Sequence, residues 1–187
     1  MPHCEIRIAG MGGQGIIMAA VMIGRAASIF EGKNVTLTQS YGPESRGGAC
    51  KAEVIVSDER IDYPKVRQAN LVAIMSEEAY HKNMPDSNDE VVIIIDPDMV
   101  EEDQSHKLAR IFRVPATRLA EGLGKRIVAN MVMVGAIVAL TDIVGEGAVE
   151  KAITKYTPRG TEKLNLNAFK SGYDFARKLL DERMVTA

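Results

Sequence analysis

The chain has 187 residues, 46% of them apolar, with 23 basic against 25 acidic side chains and a formal net charge of −2. That is enough for one folded domain with a real core, and the near-neutral balance, with no basic run, argues against a dedicated nucleic-acid binder. Only two cysteines occur, Cys4 and Cys50, with no C-x-x-C spacing; this speaks against a structural zinc or a cysteine-ligated iron–sulfur cluster on this chain alone, and fits a reduced, cytoplasmic setting.

The N-terminus shows no basic-then-apolar signal segment. Ile6-Arg7-Ile8-Ala9 reads as a short strand. It runs into Gly10-Met11-Gly12-Gly13-Gln14-Gly15, a G-x-G-x-x-G pattern, and then into an apolar helix from about Ile16 to Phe30. Such a turn gathers backbone N–H groups at the positive end of a helix, where an anion can bind. A dinucleotide would also need an acidic residue about twenty positions on, closing the second strand and holding the ribose. That strand, Asn34 to Gln39, offers only Thr38, Gln39 and Ser40; Glu31 precedes it and Glu44 lies in the following loop. Three readings of the turn stay open: a dinucleotide site, a tight corner for close packing, and a site for another phosphate or carboxylate.

The loop Tyr41-Gly42-Pro43-Glu44-Ser45-Arg46-Gly47-Gly48 follows. Arg46 offers a bidentate guanidinium to a carboxylate or phosphate, or else the stretch is a hairpin-like loop whose Arg46 pairs with Glu44 or a neighbouring chain. A right-handed crossover is expected to bring this loop to the sheet edge that carries the glycine turn. Ala49 to Ser57 alternates as a strand. Leu71 to Met75 and Val91 to Ile95 are continuous apolar runs of strand length, as in a parallel sheet covered on both faces. Arg110 to Val114 is a shorter candidate nearer an edge.

The last third reads as helix: a short one from Pro115 to Ala120, an apolar one from Ile127 to Leu140, one from Glu146 to Tyr156 and one from Asn167 to Met184. Ile127 to Leu140, fourteen residues long, is too short to span a bilayer. Two helices apolar all round, Ile16–Ile23 and Ile127–Leu140, favour an obligate oligomer. The expected fold is α/β: a single open, mostly parallel sheet with helices on both faces, Rossmann-like, with a helical C-terminal third, all as one domain over residues 1–187.

Catalytic machinery is not legible. His3, His81 and His106 sit in separate segments, without metal-ligand or triad spacing, and Ser45 lies in no nucleophile elbow. Glu77-Glu78 and Glu101-Glu102-Asp103 read as solvated helix faces. Asn130, polar within an apolar helix, reads as a satisfied core or interface amide. No catalytic residue and no metal ligand is assigned.

The stretches Gly10–Gly15, Tyr41–Gly48, Val56-Ser57-Asp58, Asn130–Gly135 and Asn165–Phe169 together resemble the gamma subunit of the 2-oxoacid:ferredoxin (acceptor) oxidoreductases, over nearly the whole chain. Tyr-Gly-Pro-Glu followed by Ser45-Arg46-Gly47-Gly48-Ala49 is more similar to the 2-oxoglutarate branch than to the pyruvate branch. Asn70 departs from the family's frequent aspartate. The resemblance implies an enzyme of alpha, beta and, in some members, delta chains beside this one. Thiamine diphosphate, magnesium and [4Fe–4S] clusters sit on those partner chains, coenzyme A is co-substrate and ferredoxin is acceptor. This chain binds none of the cofactors alone. Gly10, Gly12, Gly13, Gln14, Gly15, Tyr41, Gly42, Glu44, Ser45, Arg46, Gly47 and Gly48 become candidates for a ligand or subunit-contact edge, and Asn130 for an interface. The alternatives are a stand-alone Rossmann-type nucleotide-binding protein, a pyruvate or branched-chain version of the same enzyme, and a purely architectural subunit.

Overall fold

The structure, a computed structural model, describes residues 3–41, 48–84, 91–101 and 110–186. Within them six strands form one sheet: β1 (His3–Met11), β2 (Asn34–Tyr41), β3 (Ala49–Ser57), β4 (Leu71–Ile74), β5 (Val92–Ile95) and β6 (Arg110–Arg113), in the order β2-β3-β1-β4-β5-β6. β1, β4, β5 and β6 run parallel, while β3 is antiparallel to both β1 and β2. The sheet is therefore open and mostly parallel, as expected, and mixed through β3 alone.

β3 lies between the two strands that the first helix connects: β1 and β2 are both antiparallel to it, so they run parallel to each other and their carboxyl ends share one sheet edge, as expected. β2 and β3 form a hairpin, paired from Asn34↔Ser57 to Tyr41↔Cys50. The short connection from Tyr41 to Ala49 is too brief to return a strand in parallel, which takes a dozen or more residues. The start of β3 lies beside the end of β1, with Met11 opposite Ala49.

The helices are α1 (Ile16–Arg25), α2 (Glu77–Asn83), α3 (Ala116–Gly122), α4 (Ala129–Thr141), α5 (Glu146–Tyr156) and α6 (Glu162–Thr186). α1 continues as one wider π turn over Ala26–Phe30, and a 3₁₀ turn at Arg126–Val128 leads into α4. α2 carries the Glu77-Glu78 pair that the sequence marks as a solvated helix face, although the sequence does not show its bounds. Ser76 starts it by accepting the Ala79 N–H on its hydroxyl, with Glu77 and Glu78 in the first turn. α6 begins five residues before its expected start, just past Thr161, whose backbone N–H bonds the carbonyl of Pro158.

The two faces of the sheet are covered unequally. Cys4, Ile6 and Ile8 of β1, Ala52, Val54 and Val56 of β3 and Leu71 and Ala73 of β4 join one large core with α1, α3, α4, α5 and α6. Ala9, Val72, Ile74, Ile93, Ile95 and Ile111 form a smaller core with Ala79 and Tyr80 of α2. Toward β2 that second face turns polar: Arg7 pairs with Glu53 at 2.8 Å, and Glu53 also receives Lys51 at 3.5 Å.

α4 carries the main core. Every residue from Ala129 to Ala139 is buried within the chain itself, between α1, α3 and α6. Its all-round apolarity is thus met internally and does not call for a partner chain, a correction to the oligomer reading of that helix. Gly135 and Gly172 make this possible. A Cβ on Gly135 would lie 2.0 Å from the Phe169 carbonyl oxygen, and one on Gly172 1.9 Å from that of Val132. α4 and α6 therefore touch backbone to backbone.

Asn70 latches β1 to the approach of β4. Its side-chain oxygen accepts the Glu5 N–H at 2.8 Å and its N–H donates to the Glu5 carbonyl at 2.8 Å. An aspartate would supply the same acceptor, so the departure at this position leaves the contact intact.

Candidate functional site

β1 feeds α1 and the β2–β3 hairpin on one side, and β4 continues the sheet on the other. The chain reverses its direction of spread between β1 and β4. In open α/β sheets the crevice outside the carboxyl ends of such strands is the place a ligand binds. A cleft of ≈ 440 Å³ lies there, lined by Met11 to Gln14 after β1, Met75 after β4, Met99 after β5, and Thr117, Arg126, Ile127 and Ala129 from the helical layer.

Gln14 holds the crevice in shape. Its side-chain oxygen accepts the Met11 N–H at 2.6 Å and its amide nitrogen donates to the Met75 carbonyl at 2.7 Å. One side chain thereby ties the ends of β1 and β4 together. Gly13 and Gly15 have φ of +98° and +77°, a left-handed backbone that a side chain disfavours. Gly15 is the residue from which α1 starts, and no side chain caps it. Its carbonyl accepts the Asn130 amide at 3.2 Å, while the Asn130 oxygen takes the Met131 N–H at 2.9 Å.

The expected row of free N–H groups is only partly present. The Gly12 N–H donates to the Gly48 carbonyl at 2.9 Å and the Gln14 N–H to the Met11 carbonyl at 3.1 Å. The first bond stitches the glycine turn to the β2–β3 hairpin; the second closes the turn on itself. Among the described residues Gly13 and Gly15 keep unengaged N–H groups at the mouth of α1. Gly10 ends up inside β1, opposite Cys50. Tyr41 closes β2, two-thirds exposed, on a shallow groove with Ser40, Lys51, Lys82 and Asn83. Gly42, Glu44, Ser45, Arg46 and Gly47 lie outside the described residues, as does His106.

The dinucleotide reading meets a further obstacle. β3 sits between β2 and β1, so the end of β2 is two strand spacings, about 10 Å, from the end of β1. An acidic residue there would be one strand too far from the turn to complete a mononucleotide-binding βαβ unit.

Several residues that line or support the cleft were not read from the sequence. Asp96, fully buried after β5, accepts the Thr117 N–H at 2.8 Å, the Thr117 hydroxyl at 2.6 Å and the Asp98 N–H at 3.1 Å. It fixes the start of α3 against the sheet. Asp98 in turn forms an ion pair with Arg118. Arg126, exposed at the mouth, approaches the Met99 sulfur at 2.8 Å. The order of β1, β4, β5 and β6 is what brings these residues together, and the sequence alone does not show that order.

The cleft is lined by Met11, Met75, Met99, Ile127 and Ala129, with the Gly13 N–H and the Arg126 guanidinium among its polar groups, a set chemically suited to a partly apolar molecule with an anionic end. His3 pairs with Glu5 and His81 with Glu77, both away from the cleft. No group of three histidine, cysteine or acidic side chains that would hold a metal occurs among the described residues. None of the helices among them is long and apolar enough to cross a membrane.

The profile of the pyruvate ferredoxin/flavodoxin oxidoreductase family matches residues 5–175. The chain belongs to that family. Within this oxidoreductase family it is similar to the gamma-type chains, as the sequence motifs implied. It is 48% identical over 174 residues to 2-oxoglutarate synthase subunit KorC of Methanothermobacter marburgensis, covering 90% of this chain and 94% of that one. To pyruvate synthase subunit PorC of the same organism it is 30% identical over 180 residues, covering 91% and 96%. The crystal structure of the keto/oxoacid ferredoxin oxidoreductase gamma subunit from Geobacter sulfurreducens superposes with a TM-score of 0.79 at 37% identity, covering 92% of this chain and 98% of that one.

Proposed function

We propose that this chain is the gamma subunit of a 2-oxoglutarate:ferredoxin oxidoreductase. The complex converts 2-oxoglutarate and coenzyme A to succinyl-CoA and carbon dioxide and passes both electrons to ferredoxin. The observation that carries this reading is the contrast within one organism: 48% identity to the 2-oxoglutarate synthase chain against 30% to the pyruvate synthase chain, each aligned nearly end to end. In this reading the chain is one cytoplasmic domain that works with alpha, beta and, where present, delta partners. Those partners hold thiamine diphosphate, magnesium and the [4Fe–4S] clusters.

The part of this chain in the reaction is the approach to the active site. The cleft between β1 and β4 offers the N–H group of Gly13 and the Arg126 guanidinium to an anionic portion of coenzyme A, and its methionines to an apolar portion. Arg46 and its neighbours Gly42, Glu44, Ser45 and Gly47, carried on the hairpin whose base joins Gly12, remain candidates for the same edge.

The test is to purify the tagged chain from its own host and assay what comes with it. Thiamine-dependent partner chains and coenzyme A-dependent ferredoxin reduction with 2-oxoglutarate are expected. Recovery of the chain without such partners sinks the subunit reading; reduction driven by pyruvate but not by 2-oxoglutarate sinks the substrate.

A further inference from the structure

Asp96 binds together one wall of the cleft. It is fully buried just after β5, and its own N–H donates to the Ile74 carbonyl at 3.1 Å. One carboxylate oxygen, Oδ2, accepts both the Thr117 N–H at 2.8 Å and the Thr117 hydroxyl at 2.6 Å. The other, Oδ1, accepts the Asp98 N–H at 3.1 Å, and the Asp96 carbonyl accepts the Met99 N–H at 3.0 Å. Thr117 and Met99 both line the cleft, and Arg126, a third lining residue, meets the Met99 sulfur. One residue thus holds the start of α3 and the turn after β5, as Gln14 holds the ends of β1 and β4.

A brace for α3 alone would need no charge. Burying a carboxylate is costly, and a neutral hydroxyl or amide caps a helix start well. What a neutral amide lacks is a second acceptor. An asparagine here would turn one oxygen into a donor, facing either the Thr117 N–H or the Asp98 N–H. It would hold α3 or the turn, but not both. The Asp96 carboxylate accepts on both sides and so fixes Thr117 and Met99 relative to each other. It also takes the one proton of the Thr117 hydroxyl, which leaves that oxygen only an acceptor toward any other group. Resting on the coenzyme A reading of this cleft, we propose that Asp96 is a positioning residue for the ligand: through Thr117, Met99 and the Arg126 guanidinium it sets the wall that the ligand meets.

The test uses the assembled enzyme and reads coenzyme A and 2-oxoglutarate separately. Asp96→Asn is expected to raise KM for coenzyme A roughly five- to twenty-fold, with kcat and KM for 2-oxoglutarate within about two-fold of wild type. A residue that only braces the fold would lower stability and the yield of active enzyme and leave both KM values in place. Hydrogen exchange reads the positioning itself: the Asp98 and Met99 amides should exchange faster in Asp96→Asn, while those of β4 stay protected. Thr117→Val and Thr117→Ser are measured beside it, since a buried carboxylate can be needed for folding. Valine removes the hydroxyl bond to Asp96 and is expected to raise KM for coenzyme A about two- to five-fold; serine keeps that bond and should stay near wild type. An unchanged KM for coenzyme A in Asp96→Asn overturns the positioning role, as does an unchanged KM in Thr117→Val where the asparagine variant does not assemble. A wild-type complex whose ferredoxin reduction does not depend on coenzyme A defeats the proposed function and the positioning role together. Dependence in the wild type with no change in the variants defeats the positioning role alone.

Discussion

Asn130 of α4 donates its side-chain amide to the carbonyl of Gly15, 115 positions earlier, at 3.2 Å. A Cβ on Gly15 would sit 2.3 Å from that amide nitrogen, and Gly15 is left-handed at φ +77°. Gly15→Ala therefore meets both backbone strain and a clash, and is expected to cost about 2–4 kcal/mol. Asn130→Ala alone loses one hydrogen bond, about 1 kcal/mol. In the double variant the clash is gone, so the combined loss should be smaller than the sum. Urea unfolding of all four chains measures this, and strict additivity would mean that the two residues do not press on each other.

Gln14 ties two strand ends with one amide, so its removal should loosen the crevice without opening the core. Gln14→Ala is expected to destabilise by about 1–3 kcal/mol, the range for two hydrogen bonds. Hydrogen exchange should accelerate at Met11, whose N–H the Gln14 side chain accepts. Gln14→Glu keeps that acceptor but loses the donor to the Met75 carbonyl. Unchanged protection at Met11 in Gln14→Ala would show that the turn holds itself.

Burial pushes the Cys4 thiol from 9.0 up to about 11. In the unfolded chain it ionises first, so the folded state binds the proton more tightly. The associated stability is complete below pH 9 and is lost as pH rises from 9 through about 11, up to roughly 3 kcal/mol for a shift of two units. Cys4→Ala should flatten the alkaline limb of a stability-against-pH curve. In the folded wild type at neutral pH, Cys4 should also resist iodoacetamide. Rapid alkylation without unfolding would contradict the burial.

Arg126 is exposed, and among the described residues its side chain reaches the Met99 sulfur. Arg126→Ala should leave the melting temperature within about one degree, since surface changes of this kind stay within ±0.5 kcal/mol. In the assembled enzyme it is expected to raise KM for coenzyme A about three- to ten-fold with kcat nearly constant, the mark of a binding contact weakened by solvent. An unchanged KM would remove Arg126 from the ligand's path.

Gly135→Ala drives a methyl toward the Phe169 carbonyl oxygen. α4 and α6 must move apart to accept it. A loss of about 1–3 kcal/mol is expected in thermal or denaturant unfolding. A neutral result would mean that the helices slide past each other freely.

Much of the fold was legible because glycine, proline and apolar runs punctuate it. β3 was read to the residue and α5 likewise, bounded by turn residues on each side. The glycine turn also fell where strand meets helix. α2 was read only as the solvated face at Glu77-Glu78, without bounds, because seven residues, four of them charged or histidine, make too short an apolar stripe to show a period. The crossover from β1 through α1 to β2 brought the two strand ends to one edge as expected, but the insertion of β3 between them was not read. The cleft was harder to see. Met75, Met99, Thr117 and Arg126 come from four separate segments, and only strand order brings them together.

The burial of α4 within its own chain bears on how an assembly would be built. A helix that needed a neighbour to cover it would leave the polypeptide sticky until that neighbour was made. Here α6 closes over α4, the contact set by Gly135 and Gly172. The chain can therefore reach its final shape during or soon after synthesis and wait in the cell. Partners would meet a finished surface, and the order in which subunits join would be governed by encounter rather than by coupled folding.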